Sequence, residues 1–204
     1  MSEWVPKTSL GRMVLEGKIT SIDQVFQSHG KILEPEIVDR LLPNLEQEVI
    51  DVKLVQRQTD AGEKTRFKAL VVVGNRDGYI GIGTGKSSQV VLAIEKAIRN
   101  AKLSIVPVKR GCGSWECACG EPHSVYIKTE GKHGSVRIQV LPAPRGLGLV
   151  AGESQKIVFA LAGISDVWTR AFGETRTSLS VVGATYEALK ATNQAVLPEL
   201  WRTV

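Results

Sequence analysis

Three stretches with the two-residue period of β-strands follow one another between Glu48 and Ile82, and only short turn sequences separate them. The turns are Thr59–Lys64 and Gly74–Gly78, and the second ends in Asp-Gly, which favours a tight hairpin. Links of this length cannot carry a crossover helix, so consecutive strands must run antiparallel. The sequence therefore predicts a three-stranded antiparallel sheet in this part of the chain.

A helical pattern follows the third strand and begins at Ser87 or Ser88. Its apolar residues form a single stripe, made up of Val90, Val91, Ile94, Ala97, Ile98 and Ala101. A stripe of this kind packs on one face of a sheet. Residues 48–110 are therefore predicted to form a β-β-β-α domain.

Short helical patterns occupy residues 1–47. Thr20–Asp23 resembles a capping box, and Pro35 suits the first turn of a helix that runs through Leu42. Residues 1–50 carry 5 basic and 8 acidic side chains, a net charge of −3. We expect a helical extension that packs on another element and serves protein contacts more than RNA contacts.

The second half of the chain contains a further α/β pattern after a loop-like segment, residues 111–123. Strands are predicted at 124–129, 135–141 and 166–172, and helices at 153–162 and 178–192. Residues 124–204 thus form a second, two-layer α/β domain. The fold class is α+β, with a helical extension followed by two small domains.

Positive charge is concentrated in residues 51–110, which carry 12 basic and 5 acidic side chains, whereas the whole chain has a net charge of +5. A concentrated basic region is typical of proteins that bind polyanions, although a well-solvated surface is the alternative. The candidate RNA-binding cations lie in or beside the predicted sheet, its loops and the helix start. They are Arg57, Lys64, Arg66, Lys68, Arg76, Lys86, Lys109 and Arg110.

The segment GYIGIGTGKS, residues 78–87, combines closely spaced glycines with the Lys-Ser ending of phosphate-binding loops. A nucleotide-binding loop needs its first glycine at position 80, which is isoleucine, and it needs a parallel sheet before it. We therefore favour an RNA phosphate, with Lys86 as the charge and Gly81, Gly83 and Gly85 allowing close approach of the backbone. The alternative is a glycine-rich strand end that packs tightly.

A second glycine motif, Gly146–Ala151, matches the G-x-G-x-x-A fingerprint of dinucleotide-binding proteins, and Asp166 lies twenty residues after its first glycine. Pro142 and Pro144 separate the motif from the preceding strand, and fewer than sixty residues follow it. That length is too short for a complete dinucleotide-binding fold. Tight helix packing is the default interpretation of these glycines.

Three cysteines and one histidine lie within twelve residues in the loop between the two domains: Cys112, Cys117, Cys119 and His123. Three thiolates and an imidazole can close a tetrahedral structural zinc site, although the spacing lacks the usual C-x2-C pair. Reduced structural thiols are the alternative. With no fourth position left open, such a zinc would be structural and would do no chemistry.

Neither a catalytic triad nor a zinc-protease motif stands out, so the sequence predicts a binding protein and not an enzyme. The N-terminus MSEWVPKTSL lacks the apolar region of a secretory signal. The longest aliphatic run, Ala69–Val73, is too short to span a membrane. We expect a soluble, cytoplasmic protein without membrane contact.

Two long segments resemble a known family. FKALVVVGNRDGYIGIGTGKSSQVVLAIEKAIRNAK is similar to the signature of universal small-subunit ribosomal protein number five. PAPRGLGLVAGE and LAGISDVWTRAFG resemble the second domain of that family. The resemblance covers residues 48–195, and the acidic extension and the cysteine loop resemble the archaeal branch. Bacterial members of the family lack the cysteine loop, so the resemblance to the family as a whole does not by itself imply a zinc site.

The resemblance implies a first domain like a double-stranded-RNA-binding fold and a second domain of the ribosomal-protein-five type. It implies contact with small-subunit ribosomal RNA near the decoding region and the messenger entry, and support of translational accuracy. The turn Thr59–Arg66 corresponds to the family's RNA-inserting loop. Gly148, Gly152 and Lys156 match the region that faces a neighbouring small-subunit protein.

Two other functions remain as alternatives at this point. A phosphate-binding NTPase would use Lys86 and Ser87, and nucleotide titration would detect it. A stand-alone double-stranded-RNA-binding protein would bind generic duplexes outside the ribosome.

Overall fold

The computed structural model describes residues 4–28, 31–117 and 119–194. The chain divides into two compact units, one formed by Met1–Val73 with Gly81–Ile105 and the other by Gly74–Ile80 with Val106–Val204. Among the helices of these described ranges, none has the length and apolar composition needed to cross a membrane. The predicted α+β class, with helices ahead of the strands, is confirmed.

The first unit begins with three short helices, α1 (Ser9–Leu15), α2 (Ile22–Ser28) and α3 (Pro35–Leu41). The predicted helix after Pro35 is present, and α3 packs against the later helix α4 (Val90–Leu103). The sequence analysis missed α1, whose start is capped by the Thr8 side chain accepting a hydrogen bond from Gly11 N–H at 3.1 Å. The extension is therefore part of the first unit.

Three long strands lie side by side in the order β1-β2-β3, and a short strand, Val106–Pro107, pairs with Tyr79 and Ile80 at the start of the third. The long strands are β1 (Glu46–Thr59), β2 (Gly62–Gly74) and β3 (Tyr79–Ser87). Links of two and four residues join them, so neighbouring strands run antiparallel as predicted. All three strands are longer than predicted, and β3 includes the whole GIGTGKS segment.

The core of the first unit lies between β2 and α4. Alternate residues of β2, Ala69, Val71 and Val73, pack against a line of alanines on the helix, Ala93, Ala97 and Ala101. The predicted apolar stripe was wrong in part, because Val91 is 66% exposed and the unpredicted Ala93 is buried. The helix presents its smallest residues to the sheet, and this face is not its most apolar face.

Glycines on β3 explain why the face of α4 that packs on the sheet consists of alanines. A Cβ atom at Gly81, Gly83 or Gly85 would lie 2.1–2.2 Å from the carbonyl oxygens of Ala101, Ala97 and Ala93, in that order. The strand and the helix therefore meet backbone to backbone, at a separation that excludes any side chain on β3. The expectation that these glycines leave room for RNA needs correction, since α4 fills that room.

The hairpin of β1 and β2 extends beyond the reach of α4. A strand of 14 residues is about 46 Å long. A helix of 14 residues is only about 21 Å long. Leu54 in β1 is accordingly 55% exposed. The far half of the hairpin offers both faces to solvent.

The second unit contains the remaining strands: β4 (Val106–Pro107), β5 (Arg110–Gly111), β6 (Ser124–Val125), β7 (Thr129–His133), β8 (Val136–Pro142), β9 (Leu149–Val150) and β10 (Val167–Phe172). Its main sheet has the order β7-β8-β10-β9, antiparallel except for the parallel pair β9 and β10. Helices α5 (Glu153–Ala162) and α6 (Ser178–Ala191) lie at the predicted positions, and a 3-10 turn, Thr192–Gln194, follows. The α6 helix packs on β7 and β8.

The division into two units differs from the predicted segments 1–47, 48–110, 111–123 and 124–204. The hairpin tip Gly74–Ile80 belongs to the second unit, where Arg76 N–H donates to Leu161 O at 2.9 Å and Gly78 N–H donates to Ala162 O at 3.1 Å. The predicted four-part division into folding domains stays a prediction.

Candidate nucleic-acid interface and cysteine cluster

Five of the predicted RNA-binding cations share the sheet face opposite α4. Since odd-numbered residues of β2 and β3 face the helix, Lys64, Arg66, Lys68 and Lys86 point the other way. Arg57 on β1 joins them, because Arg57, Lys64, Arg66 and Lys86 line one cavity of about 360 Å³. We call Arg57, Lys64, Arg66, Lys68 and Lys86 the basic face.

The charges of the basic face are uncompensated within the described part of the first unit. Four of the five side chains are exposed, and Lys68 is half-buried. In the described ranges none of the five forms an ion pair with a carboxylate. Like charges held close together without acidic partners attract polyanions and raise the local concentration of counterions.

One acidic residue in the hairpin, Glu63, does not weaken this face. Its carboxylate accepts a hydrogen bond from Gln56 Nε2 at 3.0 Å, and Gln56 also reaches Thr65 Oγ1 at 3.4 Å. These three side chains lie on the other side of the hairpin from Lys64 and Arg66. Because successive side chains of a strand point to opposite faces, the Glu63 carboxylate lies on the other face of the sheet from Lys64 and Arg66.

The other three predicted cations belong to the second unit. The Arg110 guanidinium is bound internally, since it pairs with Asp77 and donates to Gly163 O at 3.3 Å. Arg76 lies in the hairpin tip with a left-handed φ of 54°. Lys109 donates its backbone N–H to Thr192 Oγ1 at 3.2 Å. The side chain of Arg110 thus holds the hairpin tip, and its predicted contact with RNA stays a prediction.

The GIGTGKS segment is extended strand and not a loop. A nucleotide-binding loop needs successive backbone N–H groups that curl around the phosphates. Here residues 81–87 lie in β3, whose glycines pack against α4. The geometry therefore agrees with the expectation that this segment does not enclose a nucleotide, and it leaves Lys86 as an exposed cation.

A short ribbon brings the ends of the cysteine loop together. β5 and β6 pair antiparallel, with Gly111 opposite Ser124, so that Cys112 and His123 lie side by side. The glycines that flank Cys112 fit closely here, because a Cβ on Gly113 would lie 1.9 Å from Tyr126 O. The local backbone therefore fixes where Cys112 emerges.

Four potential ligands converge at this point: the sulfur atoms of Cys112, Cys117 and Cys119 and an imidazole nitrogen of His123. These atoms all lie within 4.8 Å of one another, and Cys117 Sγ is 3.8 Å from His123 Nε2. In a tetrahedral zinc site, ligand bonds of about 2.3 Å to sulfur and 2.0–2.1 Å to nitrogen place these two atoms about 3.6 Å apart. The four side chains predicted from the sequence are thus brought together, and the distance between Cys117 Sγ and His123 Nε2 is close to the tetrahedral value.

The environment of the cluster favours the thiolate, which is the metal-binding form of cysteine, at Cys112 and Cys117, whereas the pKa of Cys119 is raised. The backbone N–H groups of Arg145 and Cys119 donate to the sulfur of Cys117 and lower the pKa of that thiol to about 6. The pKa of Cys112 is also lowered, chiefly by its hydrogen bond with His123. A metal cation that binds here would therefore meet thiolates that carry negative charge before it arrives.

A carboxylate that the sequence analysis assigned no role lies behind His123. Asp166 Oδ2 is 3.0 Å from His123 Nδ1, and both side chains are buried. Asp166 Oδ1 accepts hydrogen bonds from Gly148 N–H at 2.8 Å and from Gly146 N–H at 3.1 Å. We call residues 144–148 the glycine loop.

These contacts explain the apparent dinucleotide fingerprint. The acidic residue twenty positions after Gly146 binds the glycines of the motif itself and is not free to bind a ribose. Tight helix packing was also a wrong interpretation, since a Cβ at Gly146 or Gly148 would meet nothing within 4 Å. Their left-handed φ values of 87° and 79° are the reason for glycine.

The predicted protein-contact residues lie at and just after the glycine loop. Gly148 precedes β9, Gly152 caps α5, and Lys156 is exposed in the first turns of that helix. Two exposed apolar side chains, Val150 and Trp168, lie opposite each other in the β9–β10 pair. An apolar patch at a sheet edge is a frequent feature of protein contacts.

Comparisons with known proteins agree with the resemblance seen in the sequence. Residues 45–109 match the model of the ribosomal protein S5 N-terminal domain, and residues 131–203 match that of the C-terminal domain. These ranges include the whole basic face and the glycine loop.

Curated relatives named small ribosomal subunit protein uS5 match over nearly the full length. The Thermofilum pendens protein is 59% identical over 199 residues, which is 98% of each chain. The Aeropyrum pernix protein is 60% identical over 201 residues, 98% of this chain and 92% of the relative. The Methanocaldococcus jannaschii protein is 60% identical over 193 residues, 95% and 89% respectively. The chain belongs to the ribosomal protein S5 family.

Proposed function

We propose that the protein is a structural constituent of the small ribosomal subunit in the cytoplasm and binds ribosomal RNA through the basic face. Membership of the family supports assembly into the subunit. The observation that carries the RNA contact is the cavity lined by Arg57, Lys64, Arg66 and Lys86. Phosphates of the RNA backbone are the ligands that such a cluster of cations would take.

The protruding hairpin of β1 and β2 explains how the basic face could reach RNA. Cations near its tip, such as Lys64, can reach into RNA while α4 holds the base of the sheet. We place the contact near the decoding region and the messenger entry, where the chain would support translational accuracy. A catalytic role is not proposed, since the GIGTGKS segment is a strand and the glycines of the second motif bind Asp166.

We also propose that the segment 148–156 contacts a neighbouring small-subunit protein. The exposed pair Val150 and Trp168 supplies apolar area there, and Lys156 supplies a charge beside it. Such a combination of an apolar centre with a charged rim is typical of protein interfaces.

A single substitution tests the RNA contact. In Lys86→Ala, the slope of log affinity for ribosomal RNA against log salt should fall by about one unit, because one phosphate contact is lost. The titration is run at several salt concentrations, with and without ATP, and we expect no effect of nucleotide.

The control is Lys96→Ala, which removes an exposed lysine from α4 in the same unit. Its slope should equal that of the wild type. An unchanged slope in Lys86→Ala would remove Lys86 from the interface, and saturable ATP binding that the substitution abolishes would favour a nucleotide-binding function instead.

A second proposal concerns the cysteine cluster. We propose that Cys112, Cys117, Cys119 and His123 bind one structural Zn²⁺. The spacing of the four ligand atoms and the lowered pKa of Cys117 support this. When bound, zinc would tie the ends of residues 112–123 together and add binding energy to folding.

Elemental analysis of the reduced, purified chain should find one zinc per molecule, and the three thiols should resist alkylation until a strong chelator is added. Cys117→Ser should lose the metal, whereas Ser114→Ala in the same loop should retain it. Well under one zinc per chain, with three freely reactive thiols, would show that the cysteines are simply reduced structural residues.

A further inference from the structure

The glycine loop is attached to the cysteine cluster at two places. Arg145 donates its backbone N–H to the sulfur of Cys117, which is one of the four metal-binding side chains. Gly146 and Gly148 donate theirs to the carboxylate of Asp166. Three N–H groups of one five-residue loop are therefore directed at the cluster and at the residue behind it.

Asp166 uses its two oxygens for different tasks. Oδ2 accepts from His123 Nδ1 and from Ser165 Oγ, at 3.0 and 3.1 Å, whereas Oδ1 accepts from two N–H groups of the glycine loop. The carboxylate therefore joins the ring of His123 to a loop that lies more than twenty residues away in the sequence. Its burial protects both sets of hydrogen bonds from exchange with water.

The contact with Asp166 also selects the tautomer of His123. A carboxylate accepts a hydrogen bond from Nδ1–H, so the lone pair of the neutral ring lies on Nε2. Nε2 is the atom that faces Cys117 Sγ at 3.8 Å. Asp166 thus orients His123 in the one form that can act as a fourth ligand.

We propose that Asp166 is a positioning residue through which metal loading of the cysteine cluster holds the glycine loop in place; this inference rests on the zinc site proposed above. A bound metal fixes Cys117 and His123. Cys117 is one hydrogen bond away from the loop, and His123 is connected to it by two hydrogen bonds through Asp166. Loading should therefore suppress opening of the loop, whose backbone then presents β9 in a defined position.

Hydrogen exchange of the full chain measures this directly. With Zn²⁺ bound, the Gly146 and Gly148 amides should exchange at least about tenfold more slowly than in the metal-free chain. Amides of β8 should not change, because that strand is held by its neighbours in the sheet. Zinc binding without any protection of Gly146 and Gly148 would overturn the inference and leave the zinc site standing.

Asp166→Asn separates the two tasks. An asparagine has one acceptor oxygen, so it can serve the His123 ring or the glycine loop but not both. We expect Zn²⁺ affinity to fall about 10- to 100-fold, an altered Co²⁺ absorption spectrum, and loss of the metal-dependent protection of Gly146 and Gly148. Wild-type affinity and protection in this variant would contradict the assignment.

A second variant keeps the experiment decisive if Asp166→Asn does not fold. His123→Cys offers four thiolates to Co²⁺ but no ring for Asp166 to orient. Metal should still bind and still protect the Arg145 amide through Cys117, but it should no longer protect Gly146 and Gly148. Continued protection of these two glycines would show that Asp166 does not carry the effect. If the wild-type chain binds neither Zn²⁺ nor Co²⁺, the zinc proposal and this inference both fail.

Discussion

Replacing Gly83 by alanine is expected to lower the free energy of unfolding of the first unit by about 3 kcal/mol. The new Cβ would lie 2.1 Å from Ala97 O and 2.3 Å from Ala101 N, and both atoms are helix backbone that cannot rotate away. Strand and helix would have to separate, which loosens the packing of Val71 and Ala97 as well. Urea unfolding of the variant and the wild type measures the loss.

Thr84→Ala is the matched control, because the neighbouring side chain points away from α4 and its loss should change stability by less than about 1 kcal/mol. The second unit offers a parallel case. A Cβ at Gly131 on β7 would lie 2.1 Å from Ala184 O on α6, so Gly131→Ala should destabilise that unit similarly. A Gly83→Ala chain as stable as the wild type would show that β3 and α4 do not meet backbone to backbone.

Neutralising four cations of the basic face should nearly abolish specific RNA binding. If each of Arg57, Lys64, Arg66 and Lys86 neutralises one phosphate, their joint replacement by glutamine lowers the salt slope by about 3 to 4 units. The corresponding loss of affinity at 0.1 M salt is on the order of 1,000-fold. Titration of a ribosomal RNA fragment over a range of salt concentrations gives both quantities.

Net charge alone must be excluded as the cause. The first unit contains a second set of two lysines and two arginines, all exposed and away from the basic face: Lys31, Arg40, Lys96 and Arg99. Replacing these four by glutamine changes the charge equally and should leave the slope within about one unit of the wild type. Equal losses in the two variants would mean that RNA responds to total charge and not to this face.

Local patterns in the sequence were sufficient to predict most elements of the fold. The bounds of α5 and α6 and the antiparallel succession of β1, β2 and β3 followed from periodicity and from turn residues. The prediction of which face of α4 packs on the sheet was wrong in part. The close contact with the glycines of β3 admits only small residues, so the helix turns its alanines and not its most apolar residues toward the sheet. This contact can be predicted from the sequence only if the glycines at every second position of the strand are compared with the alanines at every fourth position of the helix. They are Gly81, Gly83 and Gly85 and Ala93, Ala97 and Ala101.

Roles that depend on distant partners could not be predicted. Arg110 appeared to be one more cation of a basic segment, but it pairs with Asp77, 33 residues earlier. In the sequence, Asp166 is notable only because it lies twenty residues after a glycine motif. Its hydrogen-bond partner His123 lies 43 residues before it, so local patterns do not connect the two. The cysteine cluster was found because its four ligands lie within one loop.

Sedimentation tests the central claim most directly. The tagged chain, expressed in an archaeal host, should migrate in a sucrose gradient with the small ribosomal subunit at one copy per subunit. The four-glutamine variant of the basic face should appear largely among free proteins at the top, while the matched control variant should migrate as the wild type. A wild-type chain that stays at the top and binds generic RNA duplexes instead would identify a stand-alone RNA-binding protein and contradict the account.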